Sequence, residues 1–200
     1  QEQVESAKSD QTASHTENFW DPQFSWPLEN GSEAGIESDG MFIYVTSGNG
    51  PYIFKYTMDG TYLESFTVLN GGTPISGLRD LAYDGTFFYG GTSGNLIYEM
   101  DFENQVVTGI INTPVGVRAI AYDENEDGFW INNWISDIVL VNRQGQMLNS
   151  FPVGLLQNIM GFAWDGFDPD GPYLYAFCQE IETAMVIQFA LPGGTQTGFT

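Results

Sequence analysis

Short apolar runs alternate with short polar punctuation along most of this chain. The runs are about five residues long, rich in β-branched and aromatic side chains, and bounded by Gly, Asp and Asn. That pattern predicts strands joined by tight turns. No stretch carries a sustained helical period with capping residues.

The runs recur in a fixed order. The phrase Gly77-Leu78-Arg79-Asp80-Leu81-Ala82-Tyr83-Asp84-Gly85 returns as Gly116-Val117-Arg118-Ala119-Ile120-Ala121-Tyr122-Asp123 and again as Ile159-Met160-Gly161-Phe162-Ala163-Trp164-Asp165-Gly166. A shorter echo precedes them, Gly35-Ile36-Glu37-Ser38-Asp39-Gly40. The aspartates that close the phrase fall at 39, 84, 123 and 165, with spacings of 45, 39 and 42. Three more runs follow each phrase; in the second unit they are Phe87-Phe88-Tyr89, Leu96-Ile97-Tyr98-Glu99-Met100 and Val106-Val107-Thr108-Gly109-Ile110. Four short strands per unit of about 42 residues predict an all-β fold, a β-propeller with four four-stranded antiparallel blades. A sandwich or a β-helix is the alternative architecture.

The expected organisation is a polar leader at 1–18 and a propeller at 19–200. Within the propeller, 19–34 is an outermost closing strand and its connection, 35–70 blade 1, 71–113 blade 2, 114–154 blade 3 and 155–200 blade 4. Gln23-Phe24-Ser25-Trp26-Pro27-Leu28 matches Leu148-Asn149-Ser150-Phe151-Pro152-Val153, the outermost run of the third unit. The match predicts an outer strand without its own three inner strands. Three arrangements would account for it: a longer parent chain with a ring of five or more blades, a partner chain that completes the ring, or a four-blade ring with a spare strand.

Composition narrows the partners. Five Lys and Arg against 26 Asp and Glu give a formal net charge of −21. Nucleic acid needs a basic stripe, and none exists here; anionic membrane surfaces are disfavoured for the same reason. No apolar run is long enough for a membrane span. The single cysteine, Cys178, lies in the apolar run Tyr173-Leu174-Tyr175-Ala176-Phe177-Cys178 and is expected as core. His15, the only histidine, lies in the polar leader, so histidine triads and histidine metal sites find no support. A chain that begins at Gln1 fits a mature product after signal removal.

Three clusters carry candidate chemistry. Arg79 and Arg118 hold the same place in successive units. They could bind an anionic ligand at the channel, but ion pairs with Asp80, Asp84 or Asp123 are the favoured expectation. Asp123-Glu124-Asn125-Glu126-Asp127-Gly128 spaces oxygen ligands as a calcium loop does, through Asp123, Asn125 and Asp127. The closing Glu of a full loop is replaced by Trp134, so an acidic turn is favoured over a calcium site; Asp165, Asp168 and Asp170 form a weaker version. Trp130, Asn132, Asn133 and Trp134 combine aromatic faces with amides, as sugar-binding surfaces do, with Trp130 expected between blades.

The repeat phrases, with Ile97-Tyr98-Glu99-Met100-Asp101-Phe102, Asp137-Ile138-Val139-Leu140-Val141-Asn142-Arg143-Gln144-Gly145 and Gly171-Pro172-Tyr173-Leu174-Tyr175-Ala176-Phe177, resemble a propeller region of Bacteroidetes surface proteins that commonly carry a type IX secretion sorting domain. The resemblance spans about residues 35–200 and implies export and secreted or cell-surface residence. It brings no established activity. The functional expectation is a non-catalytic propeller for binding, adhesion or scaffolding, with a glycan or protein ligand. The alternatives are a structural subunit of an extracellular assembly joined by strand addition, and a glycan-active enzyme using channel-face carboxylates. An exposed cluster of carboxylates with raised pKa values would favour the enzyme.

Overall fold

The structure is a computed structural model that describes residues 25–29, 31–32, 34–154, 156, 158–179 and 184–199. The leader expected at 1–18 lies outside them. Every regular element among the described residues is a β-strand.

The strands form four antiparallel blades, each a meander running outward from the axis. Blade 1 holds β1 (Ile36–Ser38), β2 (Phe42–Thr46), β3 (Tyr52–Thr57) and β4 (Tyr62–Thr67). A small hairpin, β5 (Leu69–Asn70) and β6 (Thr73–Pro74), follows. Blade 2 holds β7 (Leu81–Tyr83), β8 (Phe88–Gly90), β9 (Leu96–Asp101) and β10 (Val106–Asn112). Blade 3 holds β11 (Ala119–Asp123), β12 (Gly128–Asn132), β13 (Ile138–Asn142) and β14 (Met147–Phe151). Blade 4 holds β15 (Ile159–Asp165), β16 (Tyr173–Gln179), β17 (Ala184–Ala190) and β18 (Thr195–Phe199). The β5–β6 hairpin continues the sheet of blade 2, with Leu69 parallel to Val106 of β10.

The repeated aspartate shapes the first turn of every blade. In each case Oδ1 accepts two backbone N–H groups, those of Met41 and Phe42 on Asp39, Thr86 and Phe87 on Asp84, Asn125 and Glu126 on Asp123, and Phe167 and Asp168 on Asp165. This is the Asx turn, in which a short carboxylate satisfies the donors of a tight reversal. In three blades the second oxygen binds an aromatic side chain of the next strand: Tyr44 Oη donates to Asp39 at 3.1 Å, Tyr89 Oη to Asp84 at 2.8 Å and Trp130 Nε1 to Asp123 at 2.8 Å. One residue type thus fixes a turn and a core aromatic together, which is why it recurs at the repeat period. Tyr175 sits at the same register in blade 4, opposite Ala163, but its hydroxyl accepts from Gln188 Nε2 at 2.8 Å.

Those aromatics fill the spaces between blades. Tyr44 packs with Phe66, Phe88 and Phe102 between blades 1 and 2, Phe88 and Phe102 being stacked with centroids 4.1 Å apart. Tyr89 meets Phe129 and Ile131 between blades 2 and 3. Trp130 meets Phe151, Phe162 and Phe189 between blades 3 and 4. Cys178, a free thiol, is buried in that last cluster, as a small hydrophobe is.

The two outer faces of this stack differ. On blade 1, Ile43, Val45, Phe54 and Tyr56 are buried, with Trp26 packed on them. Residues 23–28 were expected as an outermost strand; residues 23 and 24 lie outside the described residues, and 25–28 form no strand. Trp26 instead sets its ring 6.3 Å from that of Tyr56 and against Gly60, where a side chain would collide with the indole. An indole laid on an apolar sheet face removes that face from water without any strand pairing. On blade 4, Phe177 is exposed, and the facing Ile36 of blade 1 is exposed too. A cavity of about 530 Å³ lies between them.

Asp80 ties the axis. It is 4% exposed, and its Oδ2 accepts the backbone N–H of Ile120 in blade 3 at 2.9 Å and that of Phe162 in blade 4 at 3.0 Å. The strand entering blade 1 passes so close that a Cβ on Gly35 would stand 2.5 Å from the Asp80 Cα, so only glycine fits there.

Candidate functional site

Arg79 and Arg118 stand at the starts of the inner strands of blades 2 and 3, at one mouth of the axis. The expected ion pairs are absent: among the described residues neither guanidinium pairs with a carboxylate. Asp84 is taken by Arg143, Asp123 by its own turn and Trp130, and Asp80 by the backbone of blades 3 and 4. Arg79 Nη2 donates to Asn49 Oδ1 at 2.9 Å and Arg118 Nη2 to the Met160 sulfur at 3.8 Å. The Nε of each is buried without a hydrogen-bond partner. Burial first, and then the charge of Arg79, hold the Arg118 guanidinium below its ordinary value. Two like charges brought together without a counterion favour an anion between them.

Trp134 completes this mouth. Its ring lies 4.4 Å from the Arg118 guanidinium, a cation–π contact, and it is 45% exposed. It adopts φ 60° in the β12–β13 loop, a conformation held by Asn132 and Asn133. Asn132 is fully buried and its Nδ2 donates to the Ser136 carbonyl, while its Oδ1 has no partner. Asn133 Nδ2 donates to the Ser93 carbonyl of blade 2 at 3.4 Å. The sequence-derived sugar set therefore divides. Trp134 is accessible beside Arg118; Asn132 and Asn133 position its loop; Trp130 is 1% exposed core.

The calcium set does not converge. The Asp123 carboxylate is spent on the turn and on Trp130, and Asp127 Oδ1 accepts from Arg143 Nε at 2.7 Å and from Tyr122 Oη at 2.9 Å. Asn125 contributes its backbone N–H to the turn. Asp165 and Asp168 likewise cap their own turns. Among the described residues no group of three or more His, Cys, Asp or Glu could hold a metal ion.

Two groups escaped the sequence. Arg143 joins blades 2 and 3 by ion pairs to Asp84 at 2.9 Å and Asp127 at 2.7 Å and by donating to Tyr89 Oη at 2.7 Å. At the opposite mouth of the axis, Glu37 borders a cavity of about 480 Å³ with Tyr83, Tyr122, Glu124, Trp164 and Phe167. Burial pushes Glu37 up to about 7, against the backbone bonds of Ser38 and Tyr83. Burial likewise pushes Asp80 up to about 8, and the N–H groups of Ile120 and Phe162 oppose it. The repeat offered one signal for Glu37: alanine stands at its place in the other three phrases.

The fold and this mouth define a four-bladed β-propeller with two arginines at its axis that have no carboxylate partner among the described residues. No family model matches the chain, and no curated protein matches its sequence. Solved structures match its fold. A glutaminyl cyclase of Myxococcus xanthus is 12% identical with a TM-score of 0.66, over 85% of this chain and 70% of that one. A hydrazine synthase of Kuenenia stuttgartiensis is 11% identical with a TM-score of 0.57, over 90% of this chain and 52% of that one. A mitotic checkpoint complex structure is 13% identical with a TM-score of 0.55, over 84% of this chain and 52% of that one. At such identities the likeness is one of fold alone. No helix among the described residues is long and apolar enough to cross a membrane.

Proposed function

We propose that this protein is a secreted or cell-surface binding propeller whose ligand is an acidic carbohydrate held across Arg79, Arg118 and Trp134. One observation carries the reading: in a chain of net charge −21 the two axial guanidiniums keep no carboxylate partner among the described residues. A uronate carboxylate would bridge them by charge-assisted hydrogen bonds, and the sugar ring would lie on the exposed indole. The resemblance of the repeat phrases to Bacteroidetes surface proteins supports the export half of the proposal.

The test is calorimetric titration with a tetragalacturonate and with a neutral maltotetraose. Binding of the uronate alone, weakened by salt and by about tenfold or more in Arg118→Ala, the loss of a hydrogen bond to a charge, supports the reading. Equal binding of both sugars, or uronate binding that survives the Arg79→Ala/Arg118→Ala pair, sinks it.

A second reading places chemistry at the other mouth. Glu37, with its proton affinity near neutrality and a cavity beside it, has the properties of a general acid, and one fold neighbour is by name a cyclase. Turnover of acidic oligosaccharides, lost in Glu37→Gln and kept in Arg118→Ala, would favour it over simple binding.

A further inference from the structure

The cavity between blades 4 and 1 has a physical origin in the repeat. Tyr44, Tyr89 and Trp130 occupy one register and are buried by the next blade, whereas Tyr175 at that register faces this space and is only half-buried. The walls are apolar: Ala34 and Ile36 on one side, Ala163, Phe177 and Val186 on the other. Their volume of about 530 Å³ falls in the range of small-molecule sites, about 300–1,000 Å³.

One charged side chain lines it, that of Asp80. This carboxylate is 4% exposed and has no cationic partner among the described residues. A buried carboxylate without a counterion is costly, and proteins pair it or keep it protonated. Glu37 is the ionisable neighbour whose charge it feels, and that charge is of the same sign. The site therefore disfavours an anion, while a neutral apolar guest leaves the carboxyl in its protonated form. A cation satisfies it in surroundings where the attraction is little screened.

We propose that this cavity binds an apolar molecule carrying a protonated amine, its hydrocarbon against the face of blade 4 and its nitrogen on the Asp80 carboxylate. The site adjoins the arginine mouth, since Met160, whose sulfur accepts from Arg118 Nη2, also lines the cavity, but it takes a ligand of opposite charge. Asp80 keeps its two backbone bonds on Oδ2 and remains the tie of the axis. Because burial raises this carboxyl to about 8, binding of an ammonium at pH 7 releases up to about one proton.

The experiment titrates the protein at pH 7 with n-hexylamine, 1-hexanol and hexanoate, by calorimetry in two buffers of different ionisation enthalpy. Hexylamine binds at least about tenfold more tightly than hexanol, the gain expected of a charge-assisted bond, and does so with proton release; hexanoate does not bind. In Asp80→Asn the amine and the alcohol bind alike. Ala163→Phe fills the cavity, leaves the Asp80 bonds alone and abolishes amine binding, which keeps the test sound if the first variant fails to fold. Equal affinity for hexylamine and hexanol in the unmodified protein, absence of hexylamine binding, or amine binding that Ala163→Phe leaves intact would overturn the proposal.

Discussion

The carboxylate of Asp80 in blade 2 accepts the backbone N–H of Phe162 in blade 4 at 3.0 Å, across 82 residues of sequence. The same oxygen holds the N–H of Ile120 in blade 3, so one side chain joins three blades at the axis. Asp80→Ala leaves both donors buried and unpaired, at about 1–3 kcal/mol each. Asp80→Asn keeps an acceptor and is expected to cost far less. Urea denaturation of the two variants checks the difference; equal losses would mean that the backbone bonds contribute little.

Asp80 and Glu37 also set a pH dependence. Both carboxyls are raised in the folded chain, to about 8 and about 7 from 3.8 and 4.5. The folded state therefore holds protons that the unfolded state gives up. The stability this represents is complete below about pH 4 and is lost as pH rises through 7 and 8. The melting temperature is expected to fall between pH 5 and pH 8.5, and less steeply in Asp80→Asn. An unchanged slope in that variant would assign the fall to general repulsion in a chain of net charge −21.

Arg143 stitches blades 2 and 3. Its side chain is 30% exposed and its partner Asp84 is 6% exposed, so Arg143→Ala leaves a largely buried charge and costs about 3 kcal/mol. Arg143→Lys keeps the charge but not the fork that reaches Asp84, Asp127 and Tyr89 together, and recovers less than half of the loss. Thermal denaturation of both variants in low and high salt measures this. Full rescue by lysine would reduce the contact to simple charge.

The two tryptophans of β12 and its loop separate by kind of effect. Trp130→Phe removes the donor to Asp123 and costs about 1–3 kcal/mol; Trp134→Ala stays within about 0.5 kcal/mol but weakens uronate binding. A Trp134→Ala protein that binds the uronate at full strength would remove the indole from the site.

Calcium is expected to leave the protein unmoved. Asp123 and Asp127 are committed to Trp130, to their turn and to Arg143, so millimolar calcium shifts the melting temperature by less than about 1 °C. A site that bound the ion well below that concentration would raise it by several degrees through linkage.

The repeat was legible because its physics is local. An aspartate that caps its own turn and grips an aromatic a few residues on leaves a periodic trace in the sequence, and blade number and strand order follow from it. What stayed hidden depends on distance. Arg143 meets Tyr89 across 54 residues, with no pattern to mark the pair. Asp80, read beside Arg79, suggested an ion pair; in the fold the carboxylate turns to the backbone of other blades and leaves the arginine to Asn49. The β5–β6 hairpin escaped because two-residue strands have no periodicity to read. Trp26 looked like a strand residue because its neighbours match 148–153, but a lone indole on an apolar face does not need its segment to pair.

Trp26 also gives the stack a direction. Blade 1 is sealed on its outer side, blades 2 and 3 are held on both sides, and blade 4 has a neighbour on one side alone among the described residues. In an array stabilised by nearest neighbours, the element with one neighbour opens first. Amide exchange should therefore run fastest in β15–β18 and slow progressively toward blade 2, so that the molecule frays from one end rather than melting evenly around the axis.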